Sequence, residues 1–418
     1  MTRQGPQTDI DSLMQQAAEE VFHRTQPFRY SKYLEFTGRT DQAMAVAVDL
    51  AKSGPVDERA WAWGQISNLH LESGDLRAAA LAGRQAVVLD PELGLGWLNL
   101  AVAEGGLGHD RASLDACNRA VALLTNGRGK LSETGIAIGY ANASAAPAWR
   151  GDFNEAIRII QSRRSQSDYL NLTEAAQWSD ALAAVALHDV AKARAIVGRL
   201  GPDDSPDRYS NQNGGLYAPR AALAAERGDW RAARDGLRAM IDAAPPRTST
   251  LVTTFLVPML VLAEIKVGDV AEAARLAASL PNDCAVCVGA KAAVAETTGD
   301  WRTADRLFAR RVQLSAPGPF AFSAWGEAKL ARGDIGGALA LFRNAQRDGP
   351  RWADAFKLEG DALMQQGKAR EAAAAYREAI ERAPKWSAAH LGLSKALLAA
   401  GRARESQEAL VAGERLVA

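Results

Sequence analysis

"GDWRAA" at Gly228–Ala233 returns as "GDWRTA" at Gly299–Ala304. Aligned on those two glycines, the chain shows the same turn again and again. It reads "GRTDQA" at Gly38, "GDLRAA" at Gly74, "GHDRAS" at Gly108 and "GDFNEA" at Gly151, with a variant "HDVAKA" at His188. Further copies are "GDVAEA" at Gly268, "GDIGGA" at Gly333, "GKAREA" at Gly367 and "GRARES" at Gly401. The spacings are 36, 34, 43, 37, 40, 40, 31, 34, 34 and 34 residues. A period near 34 is the mark of stacked helical hairpins.

Each position of the turn has a physical task. Glycine ends the first helix because a left-handed residue there strains any side chain. The aspartate that often follows caps the second helix by accepting its free amides. Five residues past the turn stands a small side chain: Ala43, Ala79, Ser113, Ala156, Ala193, Ala233, Ala273, Ala304, Ala338, Ala372 or Ser406. Nine past it the best copies carry Phe308, Phe342 and Tyr376, and seventeen past it Pro55, Pro91, Pro245, Pro350 and Pro384 stop the second helix. Upstream, Trp63, Trp97, Tyr217, Phe322 and Phe356 stand eleven before their turns, placed to anchor neighbouring hairpins. Gly326 and Gly360 stand seven before theirs, where a helix crossing needs a missing side chain.

This pattern resembles the tetratricopeptide repeat. Residues 353–386, "ADAFKLEGDALMQQGKAREAAAAYREAIERAPKW", match the family pattern nearly throughout, and the resemblance runs over roughly residues 24–418. It implies an all-α, right-handed superhelical solenoid of about eleven antiparallel hairpins with a concave groove, and no chemistry of its own. The expected division is a capping helix over residues 1–23, a first array over 24–200, an irregular loop or hinge over 201–216, and a second array over 217–418. The C-terminal repeat has no polar capping helix after it. Either the last helix caps itself or a partner, such as another copy, covers it.

Composition bounds the function classes. Acids and bases balance at 49 each, so no global basic field invites nucleic acid or an anionic membrane. The most apolar stretch, "LVTTFLVPMLVLAEI" from Leu251, contains a proline and reads as too short to cross a bilayer. The first residues show no secretion signal, and three cysteines do not make a disulfide scaffold. A cytoplasmic protein is the expectation.

A search for catalytic chemistry finds little. "GRGKLS" at Gly127–Ser132 lacks the first glycine and the hydroxyl of a phosphate loop. Cys284 and Cys287, in "DCAVC", have the spacing of a redox dithiol or half a zinc site, but no second pair or nearby histidine supports a metal. They read as packing cysteines, as does Cys117. The five histidines are scattered, and His188 reads as a stand-in for a turn glycine. No catalytic residue, metal or cofactor is expected.

The resemblance implies that the first helix of each hairpin lines the groove. Counting back from the turns gives Arg29, Lys32, Trp61, Gln65, Asn68, Asn99, Asn142 and Trp178 as groove residues. Amides there offer donor and acceptor to an extended peptide backbone, and aromatics add contact area. Some family members grip a terminal carboxylate with asparagines and cations. Asn68 and Asn99 resemble that arrangement, but Gly64 and Ile138 stand where the cations belong.

The leading expectation is a non-enzymatic scaffold that holds a peptide or protein segment in the groove. Two alternatives stand beside it. One is a sensory or regulatory module whose ligand-dependent superhelix change controls a partner. The other is an enzyme with its site in the irregular middle.

Overall fold

The computed structural model describes residues 10–126, 145–161, 180–199, 219–244, 246–315 and 318–416. Among them every regular element is helical. Helices pair across each turn, as in Val56–Ser73 with Leu76–Leu89 and Ala353–Gln365 with Ala369–Arg382. Each turn stands where the sequence spacing puts it. The ten turn glycines lie in the left-handed region, from φ 73° at Gly367 to 97° at Gly268, and His188 joins them at 57°.

The turn chemistry follows. Asp75, Asp189, Asp229, Asp269, Asp300 and Asp334 each accept the amide three residues on, at 2.9–3.1 Å. Such a cap contributes about 1 kcal/mol to its helix. The small residues five past the turns are all buried. A Cβ on Gly326 would stand 2.4 Å from the Phe342 ring, and one on Gly360 2.8 Å from the Tyr376 ring. The glycine seven before a turn and the aromatic nine after it are therefore complementary halves of one contact. In other copies a serine takes the glycine's place and reaches the facing helix: Ser31 Oγ donates to Ala43 O and Ser67 Oγ to Ala79 O, both at 2.8 Å.

The chain packs as two compact units, Met1–Glu104 with Ala116–Gly139, and Gly105–Asp115 with Tyr140–Ala418. The loop expected as a hinge, 201–216, lies outside the described residues. In the first unit the helix Ile10–Thr25 docks on the first hairpin, Phe22 against Tyr30 and Tyr33 with centroids 5.7 and 6.0 Å apart. Glu19 accepts both Arg39 guanidinium nitrogens and the Tyr30 hydroxyl. The Arg39 bond, against the opposing effect of burial, holds the Glu19 carboxyl down at about 2.

The second unit has a regularity the repeat does not announce. Three turn residues each seat on the residue that opens a much later first helix. Gly108 lies on Cys284, Gly151 on Trp352, and His188 on Trp386. Around these contacts Ala285 N donates to Gly108 O (3.1 Å), Arg111 to Ser315 O (3.1 Å), and Phe153, Phe320 and Trp352 cluster with centroids 4.9–6.4 Å apart.

Residues Ser249–Val267 form one helical stretch, long and apolar enough to span a bilayer by length and composition. It is thus longer than the sequence expectation allowed, and it continues through Pro258. The backbone absorbs the missing amide with a π-turn over Val252–Leu256. Leu256, Leu260, Val261 and Ala263 are buried among the adjoining helices, which is the packing of a core helix.

Candidate functional site

The first helices of the first unit bring part of the expected groove set together. Glu35, on the helix Pro27–Phe36, reaches across to the next hairpin's first helix, Val56–Ser73. Its carboxylate accepts Gln65 Nε2 at 2.6 Å, Lys32 Nζ at 2.7 Å and Asn68 Nδ2 at 2.9 Å. Asn68 also donates to Glu72 at 3.0 Å. Burial disfavours the Glu35 charge, but the bonds from Gln65 and Lys32 outweigh it and hold the carboxyl below the usual range. The charged form is thus the resident one.

The position a ligand carboxylate would take against Asn68 is therefore filled by the chain's own glutamate. Glu35 was not among the expected residues. Its signal was its place three before the turn, one helical turn on from Lys32. Phe36 was also missed. It is 80% exposed, with Lys32 Nζ 5.7 Å from its ring centroid.

The remaining expected residues divide. Arg29 is exposed, with Nη1 donating to Gln26 at 2.9 Å. Trp61 packs against Phe28, centroids 5.4 Å apart, over Ala60, Ala86 and Leu93. Asn99 is buried and donates to Gly64 O at 3.0 Å, so its amide ties two first helices together. Asn142 and Trp178 lie outside the described residues, as does most of the irregular middle.

Among the described residues the second unit carries shallow clefts. One of about 290 Å³ is lined by Lys291, Thr298, Asp300 and Thr303, and one of about 220 Å³ by Arg111, Ser315 and Asp348. Among the described residues no group of three or more His, Cys, Asp or Glu side chains is placed to hold a metal.

Cys284 and Cys287 do more than pack. They are fully buried, as expected, but they are also joined as a disulfide at the start of the helix Ala285–Thr297. Cys117 is a buried thiol outside the disulfide, pushed by burial up to about 12. His188 likewise exceeds its expected part. It holds the turn, and its Nδ1 and Nε2 also stand 2.7 Å from Glu226 and 2.9 Å from Asp354.

Left-handed turns at a period near 34, each joining two antiparallel helices, define a helical-hairpin repeat protein. Two tetratricopeptide repeat models match the chain, over residues 323–385 and 363–415. The chain carries tetratricopeptide repeats over residues 323–415. Among solved structures it is similar to the APC/C hetero-tetramer Cut9–Hcn1, with TM-score 0.50, 13% identity, and 98% of this chain and 92% of that one covered. It is more loosely similar to yeast Tom70, with TM-score 0.39, 11% identity, and coverages of 93% and 91%. No curated protein sequence matches it. At such identities the likeness concerns the fold. That fold, with its repeats, supports a protein–protein interaction scaffold.

Proposed function

We propose that the inner row of the first unit binds an extended segment of a partner protein, and that the protein acts as a non-enzymatic scaffold in the cytoplasm. The observation that carries this reading is the cluster of Lys32, Glu35, Gln65 and Asn68 beside the exposed ring of Phe36. Internal hydrogen bonds fix the amides and carboxylates before any ligand arrives, which lowers the ordering cost of binding. Phe36 supplies an aromatic anchor of the kind that dominates interface energies. Because Glu35 already occupies the Asn68 amide, the partner is engaged along its backbone and side chains, not by a terminal carboxylate.

The test is affinity purification from the native cells with the wild-type chain and with Phe36→Ala plus Asn68→Ala. Loss of a stoichiometric copurifying protein, with an unchanged melting curve, supports the reading. Undiminished capture by the double variant sinks it.

A further inference from the structure

We infer that Cys284 and Cys287 form a reversible dithiol–disulfide element that controls how tightly the segment Gly105–Asp115 is held within the second unit. Both sulfurs are fully buried, and Cys284 is the cap of the helix Ala285–Thr297, its sulfur accepting the Cys287 amide at 3.2 Å. A lone pair of cysteines three apart staples no distant parts of a fold, so scaffolding is not its use. In a cytoplasm kept reducing, such a pair is a redox-responsive element.

The surroundings serve both oxidation states. Pro258 has no amide hydrogen to give to the fourth or fifth residue before it, Thr254 or Thr253. The Thr254 carbonyl lies 3.9 Å from the Cys284 sulfur and the Thr253 carbonyl 3.9 Å from the Cys287 sulfur. As thiols, each cysteine therefore has an acceptor in place for its hydrogen. As a disulfide, the two sulfurs draw together and give up those donors.

The consequence is felt at Gly108. A Cβ there would stand 2.6 Å from the Cys284 sulfur, so the turn seats directly on the pair. Ala285 N donates to Gly108 O, Thr254 Oγ1 donates to Gly106 O at 2.7 Å, and His109 stands 3.5 Å from Asp283. Two thiols need more room than two bonded sulfurs, and the Gly108 turn lies directly against Cys284. Reduction loosens the seat and oxidation tightens it.

The oxidant is a low-molecular-weight disulfide. One cysteine thiolate attacks it, forming a mixed disulfide and releasing one thiol. The second cysteine then displaces the other thiol and closes the Cys284–Cys287 bond. Two protons and two electrons pass from the pair to the oxidant. Because the sulfurs are buried, exchange proceeds through local opening of the seat.

The full-length protein is held in oxidised or reduced glutathione, denatured, alkylated and weighed. With three cysteines in the chain, one alkyl group is expected after oxidation, at Cys117, and three after reduction. Amide hydrogen exchange over residues 105–115 and 285–289 is expected to quicken about tenfold on reduction and to slow again on reoxidation. Cys284→Ser with Cys287→Ser should show the fast exchange under both conditions. Three alkyl groups after oxidation, one after reduction, or equal exchange in the two states overturns the inference. The wild-type comparison decides the matter even where the double variant fails to fold.

Discussion

The imidazole of His188 lies flat on the indole of Trp386, centroids 3.7 Å apart and planes 5° from parallel. Glu226 and Asp354 hold its two nitrogens, and Lys357 stands 5.9 Å from the same indole ring. Burial disfavours the imidazolium, but the bonds to Asp354 and Glu226 overcome it and raise the ring to about 9. His188 is thus a cation clasped between two acids and an aromatic face.

Replacing His188 with Gly tests which of its two parts matters more. The change relieves a left-handed side-chain strain of about 1–2 kcal/mol. It also removes two charge-assisted bonds of about 1.5–3 kcal/mol each. The variant is expected to be less stable by about 1–5 kcal/mol, read by urea unfolding. A glycine variant more stable than wild type would reduce His188 to a turn residue.

The same clasp makes stability pH-dependent. The folded value lies above the ordinary 6.5, so the stabilisation is whole below pH 6.5 and is lost as pH rises through about 9. The difference corresponds to about 3 kcal/mol. Unfolding midpoints at pH 6 and pH 10, followed by tryptophan fluorescence, should differ in wild type and converge in His188→Gly.

Turn glycines should not be equal. A Cβ at Gly228 or Gly299 meets nothing within 4 Å, while one at Gly108 runs into Cys284. Alanine at the first two is expected to cost about 1 kcal/mol from backbone strain alone. At Gly108 a further 1–3 kcal/mol or so from overpacking is expected. Denaturation of the three single variants separates the two contributions.

Asn68 and Asn99 should part company. Asn99→Ala removes the side-chain bond that ties the two first helices at Gly64 O and is expected to cost about 0.5–1.5 kcal/mol of stability. Asn68→Ala removes a half-exposed amide and should act on partner binding with little change in melting. Comparing thermal melts with partner capture checks both.

Glu35→Gln probes the acid side. The Glu35 carboxyl is held below its ordinary value, so its stabilisation is present above the usual glutamate range and is lost as pH falls through the lower folded value. The variant is expected to be less stable at pH 7 and to lose less on acidification. Acid titration of ellipticity in both chains checks the sign.

Much of this protein is written in adjacent residues. A left-handed glycine, a capping aspartate, a small residue at a crossing and a proline at a helix end act within one hairpin. Counting from Gly228 and Gly299 therefore located every turn, and placed Gly360 at a helix crossing and Tyr376 nine past its turn, from local sterics. The counting also reached Lys32, Gln65 and Asn68. It did not foresee that Glu35 would bind all three, nor that Asn99 would turn inward, because those outcomes depend on how one hairpin rotates on the next. The contacts of Gly108 with Cys284, Gly151 with Trp352 and His188 with Trp386 lie further still beyond the sequence. They join residues far apart in the chain, and no local pattern carries such a contact. The repeat, its register and its caps are local properties, set within a few residues of each turn. Which turns meet which helix starts, and with that the histidine clasp and the seat of the cysteine pair, depends on long-range packing.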